Sequence, residues 1–132
     1  MPKNVLVVDD DQDARTFYED YLTMECGARV ITAKNGREGL EILRKEKIDA
    51  VVTDLSMPVM SGEDMMEEMV KDETLRQIPV VAETALGTPG TGRDRKATDQ
   101  FKGRLNMVCF TRGAHSWEAI SRKIAEILTE QK

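Results

Sequence analysis

Three aspartates stand in a row at Asp9-Asp10-Asp11, and a fourth, Asp54, lies far downstream. Each set directly follows a short apolar run. Two carboxylates about 4 Å apart repel by roughly 4 kcal/mol at an effective dielectric near 20. Three brought together therefore require a cation or a proton. No cysteine or histidine lies beside either set. The natural ion is then hard, oxygen-loving and divalent: Mg2+, with Mn2+ as the second choice. A carboxylate is also a competent covalent nucleophile. Taken singly, an aspartate after a strand can simply cap the next helix, and Asp11 fits that role best.

The elements that would position these acids follow from the apolar pattern. Continuous short apolar runs, the form taken by strands buried on both faces, occur at 5–8, 29–33, 50–53, 79–82 and 107–110. Helical spacing fills the gaps: residues 12–24 carry Ala14, Phe17, Tyr18, Tyr21 and Leu22 on one face. Asn35-Gly36 opens a second helix with Leu40 and Leu43. Ser61 and Asp64 form a capping-box pattern before Met65, Met66, Met69 and Val70. A last helix starts near Ser116 and carries Trp117, Ile120, Ile124, Ile127 and Leu128. This β-α alternation, repeated five times, implies right-handed crossovers, a parallel sheet and helices on both faces. In the common order 2-1-3-4-5 the ligand crevice lies beyond the carboxyl ends of strands 1 and 3. Asp9, Asp10 and Asp54 would meet there. The stretch at 86–92 is too rich in Gly and Pro for a helix. A helix over 93–102 would have only Ala97 and Phe101 as a narrow stripe, predicting a marginal, mobile element.

Val7-Val8-Asp9-Asp10-Asp11, Asp54-Leu55-Ser56-Met57-Pro58-Val59-Met60-Ser61-Gly62 and Thr84-Ala85 together resemble the receiver domain of bacterial response regulators. The resemblance is strong over 1–85 and weak over 86–115. It implies an α/β, flavodoxin-like, doubly wound (βα)5 sandwich. Residues 1–132 would form a single receiver domain, irregular or expanded at about 86–104. It also implies a function: a sensor histidine kinase or phosphotransfer protein passes a phosphoryl group to Asp54, and the resulting change of shape alters a protein partner. By the same resemblance Asp10 would bind Mg2+ directly and Asp9 would assist, largely through water. The metal set is completed by Asp54 and the backbone carbonyl of Ser56, while Thr84 would hydrogen-bond a phosphoryl oxygen. Pro58 and Gly62 suit a tight turn that aims this loop.

The pattern departs from the family near strand 5, where a Lys-Pro pair is expected and Phe110-Thr111-Arg112-Gly113-Ala114-His115 stands instead. Counting back from the last helix puts Gly113 at the lysine position and Phe110 at the family's switching aromatic. A slip of one residue puts Arg112 and Cys109 there. Arg112 is the candidate substitute, although a planar guanidinium is not a compact ammonium. A hydrogen bond from Thr84, worth roughly 1.5–3 kcal/mol, falls short of the roughly 5.5 kcal/mol that a complete two-state switch takes.

Composition bounds the remaining possibilities. The 132 residues are 40% hydrophobic and 33% charged, with net charge −5, which suits one globular domain and argues against nucleic-acid binding. No apolar run is long enough for a membrane span, and the N-terminus reads as neither signal nor anchor. Two cysteines without CxxC spacing, Cys26 and Cys109, indicate a reducing, cytoplasmic setting. A single histidine, His115, excludes a multi-histidine metal site and reads as a loop residue. Gly87 to Asp94 has the frame of a P-loop, but Arg93 replaces its lysine and Asp94 its hydroxyl, so no nucleotide or other cofactor site is expected. Arg93, Arg95, Lys96, Lys102 and Arg104 outnumber Asp94 and Asp99. They form a candidate basic docking surface on the helix 4–strand 5–helix 5 face.

The chain is thus expected to be a phosphoacceptor module rather than an enzyme, a monomer or weak dimer, with its output through protein contacts. Two other readings stay open. A degenerate receiver would act as a fixed docking module. A Mg2+-dependent aspartate-nucleophile phosphohydrolase would usually carry a second acid two residues past the nucleophile, where this chain has Ser56.

Overall fold

The computed structural model describes residues 2–85, 92–113 and 116–131. Five strands are separated by helices: β1 Asn4–Val8, α1 Gln12–Cys26, β2 Arg29–Ala33, α2 Gly36–Lys45, β3 Ala50–Asp54, α3 Gly62–Val70, β4 Val80–Thr84, α4 Arg93–Phe101, β5 Met107–Thr111 and α5 Ser116–Glu130. A short 3-10 turn, Leu75–Gln77, precedes β4. The strands form one sheet in the order β2-β1-β3-β4-β5, and every neighbouring pair is parallel. This is the doubly wound arrangement expected from the alternation of elements.

The continuous apolar strands serve two cores at once, because successive side chains point to opposite faces. Leu6, Val8, Val51 and Ala82 join Leu40, Met65, Met69 and Phe101 on the side of α2, α3 and α4. Val5, Val7, Val52 and Val81 join Tyr18, Leu22, Ile120 and Ile124 on the side of α1 and α5. Trp117 packs on this second core, its ring tilted 37° against Phe17 with centroids 4.3 Å apart. Polar residues start the helices as expected. Asp11 accepts from the Asp13 amide, Asn35 from Glu38 and Ser61 from Asp64.

Most elements differ from the sequence reading by a residue or two at an end, and two of them bear on the site. The fourth strand begins one residue later than expected and runs on through Glu83 and Thr84. Pro79 has no N–H to give a ladder, and Glu83 and Thr84 find partners in Phe110 and Thr111. The narrow stripe of α4 is as expected, with Ala97 and Phe101 buried, but the helix has further anchors. Arg93 pairs with Glu63 of α3. Beyond its C-terminus, Arg104 reaches Glu67 at 2.6 Å, and Gln100 donates to the same carboxylate at 2.9 Å. The Gly-Pro stretch at 86–91 lies outside the described residues, as does His115.

Candidate functional site

The acids at the ends of β1 and β3 converge. Asp9, Asp10 and Asp54 each offer one carboxylate oxygen, and these atoms lie within 4.8 Å of one another. Adjacent parallel strands in register bring this about: Val8 of β1 sits opposite Thr53 of β3, so the residues that follow emerge side by side. The three differ in setting. Asp9 is 3% exposed and Asp10 is open to solvent. The Asp54 side chain is 11% exposed.

Backbone donors orient the two buried carboxylates. The Asp11 amide donates to Asp9 Oδ1 at 2.9 Å, and the Ser56 amide donates to Asp54 Oδ1 at 3.2 Å. Burial nonetheless dominates. It pushes the Asp9 carboxyl up from 3.8 to about 6, with the Asp54 and Asp10 charges adding and Arg112 opposing. Burial raises Asp54 as well, against the Ser56 hydrogen bond and Arg112. A desolvated carboxylate cluster that holds protons this strongly suits a hard divalent cation as their replacement. The donor set of Asp9, Asp10 and Asp54 is one that a hard divalent cation would fit.

The loop after β3 is built to hold Asp54 still. Gly62 lies so close to the strand end that a Cβ there would meet the Asp54 carbonyl oxygen at 2.1 Å. The Gly62 amide donates to Leu55 O at 3.0 Å. The Gly36 amide at the start of α2 donates to Met60 O at 2.9 Å, tying the far side of the loop. Within it Val59 adopts φ 70 and is exposed, an unfavourable conformation for a β-branched residue. Ser56 lies exposed at the start of this loop. Thr84 ends β4, buried, and its carbonyl accepts from the Arg112 amide at 2.7 Å.

The end of β5 adds a cation to the cluster. Arg112, one residue past β5, brings Nη2 to 3.8 Å from Asp9 Oδ2 and 3.9 Å from Asp54 Oδ2. Cys109 packs with the α4-side core, whereas Phe110 packs with the α1 and α5 side. Of the two counts, the one with Arg112 and Cys109 sets a cation beside the acidic cluster, whereas Gly113 carries no side chain to bring there. Burial pushes the Cys109 thiol up to about 12 and so keeps it neutral.

One participant escaped the sequence reading. Glu83 is 2% exposed and holds the Arg112 guanidinium: Nε and Nη2 both donate to Oε1, at 3.1 and 2.8 Å. Ser116 at the start of α5 donates from its hydroxyl to Oε2 at 3.1 Å. The available signal was an acid inside the apolar run Val80-Val81-Ala82-Glu83. A buried strand tolerates that only with a partner. The P-loop frame gains no support, because Arg93 at its end is engaged by Glu63.

A family model described as the response regulator receiver domain matches residues 5–97. The polar-differentiation response regulator DivK of Brucella anthropi is 32% identical over 90 residues, 68% of this chain and 72% of DivK. A probable transcriptional regulator, ycf27 of Porphyra purpurea, is 41% identical over 85 residues, 64% of this chain but 33% of that longer protein. Among solved structures, the chemotaxis protein CheY4 of Vibrio cholerae superposes with a TM-score of 0.78 at 21% identity, covering 96% of this chain and 99% of that one. The receiver domain of the sensor histidine kinase PA1611 of Pseudomonas aeruginosa, which carries a magnesium ion in its active-site cleft, does so with 0.74 at 23% identity, covering 96% and 99%. These structural likenesses establish the fold.

Proposed function

The chain belongs to the response regulator receiver family, and on that premise we propose that it is a phosphoacceptor module of two-component signalling, with Asp54 as the acceptor. The observation that carries this reading is the convergence of Asp9, Asp10 and Asp54 around a space suited to one hard cation. An Asp54 carboxylate oxygen forms a bond to phosphorus as the N–P bond of a phosphohistidine donor breaks, and the electron pair of that bond returns to the imidazole. Phosphoryl transfer needs mainly in-line positioning and charge neutralisation, and Mg2+ would supply much of the latter. Arg112 adds a fixed positive charge beside the acceptor. Thr84 stands at the adjoining strand end to hydrogen-bond a phosphoryl oxygen, and the Ser56 carbonyl would complete the metal ligands. Hydrolysis of the resulting acyl phosphate by water restores Asp54 and releases inorganic phosphate.

Residues 1–132 act as one receiver unit in this reading, in the cytoplasm, as a monomer or weak dimer, without nucleic acid or membrane. The donor is a sensor histidine kinase or phosphotransfer protein, and output passes to a protein partner through the face built by α4, β5 and α5. The basic surface there is smaller than its composition suggests. Arg93, Arg95 and Arg104 are taken up by Glu63, Asp99 and Glu67, while Lys96 and Lys102 are exposed.

A second reading, a degenerate receiver that docks without being phosphorylated, is favoured by one observation: Arg112-Gly113 stands where the family has Lys-Pro. Incubation with a small phosphodonor and Mg2+, followed by intact-mass measurement, separates the two. A phosphoryl adduct that disappears in Asp54→Asn supports the phosphoacceptor, and no adduct in the unsubstituted protein supports the docking module. Sustained turnover of a small phosphate ester would instead identify a phosphohydrolase.

A further inference from the structure

Arg112 faces two ways. One edge of its guanidinium is bound to Glu83, at 2.8 and 3.1 Å. The same Nη2 stops 3.8 and 3.9 Å short of Asp9 and Asp54, beyond the 2.7–2.9 Å of a charge-assisted hydrogen bond. An arginine left to itself beside buried carboxylates would close that gap and take bidentate contact with them. It would then occupy the positions a cation needs. Glu83 prevents this. Glu83 is buried in β4, whose backbone pairs it opposite Phe110, and the Ser116 hydroxyl lies 3.1 Å from its other oxygen, at the same distance from the Gly113 carbonyl, while accepting from the Gly113 amide. The carboxylate thus has a partner at each oxygen.

We infer that Glu83 is a positioning residue that restrains Arg112 just outside the acidic cluster, leaving the cluster open to a divalent cation while presenting N–H groups to the incoming phosphoryl group. This rests on the phosphoacceptor reading. It also explains why arginine rather than lysine stands here. A guanidinium can give one edge to Glu83 and keep donors for the site, whereas an ammonium concentrates its charge at one point.

The test is Mg2+ affinity, measured by calorimetry on the full chain near neutral pH, with circular dichroism confirming the fold of each variant. Glu83→Gln keeps the volume but loosens the hold, so Arg112 moves onto Asp9 and Asp54 and Mg2+ binding weakens by about tenfold. Adding Arg112→Gln to that variant removes the competitor and returns the affinity to within about twofold of the unsubstituted protein. A purely structural Glu83 would not be rescued by a second loss. An unchanged affinity in Glu83→Gln, or a double variant as weak as the single one, overturns the inference while leaving the phosphoacceptor reading intact. Failure of the unsubstituted protein to bind Mg2+ overturns both. A measurement that needs no substitution is the side-chain Nε–H resonance of Arg112. With Glu83 holding it, its chemical shift and slow exchange persist as Mg2+ saturates the site, and its displacement by Mg2+ overturns the inference.

Discussion

Asp9 makes the stability of the chain depend on pH. Its carboxyl is raised from 3.8 to about 6 chiefly by burial. Between those values the folded chain holds a proton that the unfolded chain has released, so stability falls as pH rises through this window and levels off above about 6. From linkage, the metal-free protein is about 1 kcal/mol less stable at pH 7 than at pH 5 on account of Asp9. Asp54 pushes in the same direction. Urea midpoints at the two pH values should show this loss, and Asp9→Asn should remove most of it. In the proposed role Mg2+ would compete with the same protons. Its stabilisation, about 2.7 kcal/mol at a hundred times the dissociation constant, should therefore, at a fixed Mg2+ concentration, grow as pH rises through about 6 and level off above it. A Mg2+ effect independent of pH across this range would contradict the shared site.

The loop between β3 and α3 shows how an element holds the proposed acceptor, Asp54. Gly62 is required by close approach, since a Cβ would collide with backbone that cannot yield cheaply. Gly62→Ala should cost about 2 kcal/mol or more and slow adduct formation at Asp54, because relief of the clash moves the acceptor. Both a chemical-denaturation curve and the intact-mass time course report on it. Val59, at φ 70 and exposed, has the opposite expectation. A left-handed conformation costs a residue with a Cβ roughly 1–2 kcal/mol, so Val59→Gly should stabilise the chain by about 0.5–1 kcal/mol after the added freedom of the unfolded state is counted. A loss of stability there would mean that the Val59 side chain makes contacts worth more than its strain.

Across the whole molecule, ion pairs from α3 reach α4 and the turn that follows it. The stripe of Ala97 and Phe101 alone makes a thin attachment. Glu63 with Arg93, and Glu67 with Arg104 and Gln100, pin the helix at both ends. Pairs like these, one half-buried at Glu63–Arg93 and one more exposed at Glu67–Arg104, contribute about 1 kcal/mol or less each, too little to govern global unfolding but enough to bias local opening. Replacing both Glu63 and Glu67 by Gln should accelerate amide exchange in α4 by roughly tenfold, and lower the thermal midpoint by less than about 5 °C. Equal acceleration in α1 and α5 would show that the pins support the entire fold. If α4 is part of the output surface, these two glutamates also limit how far phosphorylation can shift it.

Much of this architecture is local in origin and was therefore legible in the chain. Continuous apolar runs give doubly buried strands, three- and four-residue spacing gives the helices, and aspartates at strand ends follow where the strands go. Parallel order then delivers Asp9, Asp10 and Asp54 to one place. What tertiary structure alone decided are relations that depend on register and approach. Pairing of β5 with β4 turned Cys109 to the α4 side and Phe110 to the α1 and α5 side, because a shift of one residue turns every side chain of a strand to the other face, and it left Arg112 beside the acidic cluster. The same pairing set Glu83 against a guanidinium distant in sequence. The need for glycine at 62 came from the passage of one backbone against another. Residue types announce such requirements, an acid in an apolar strand or a glycine opening a helix, but the partner that satisfies them is selected by packing.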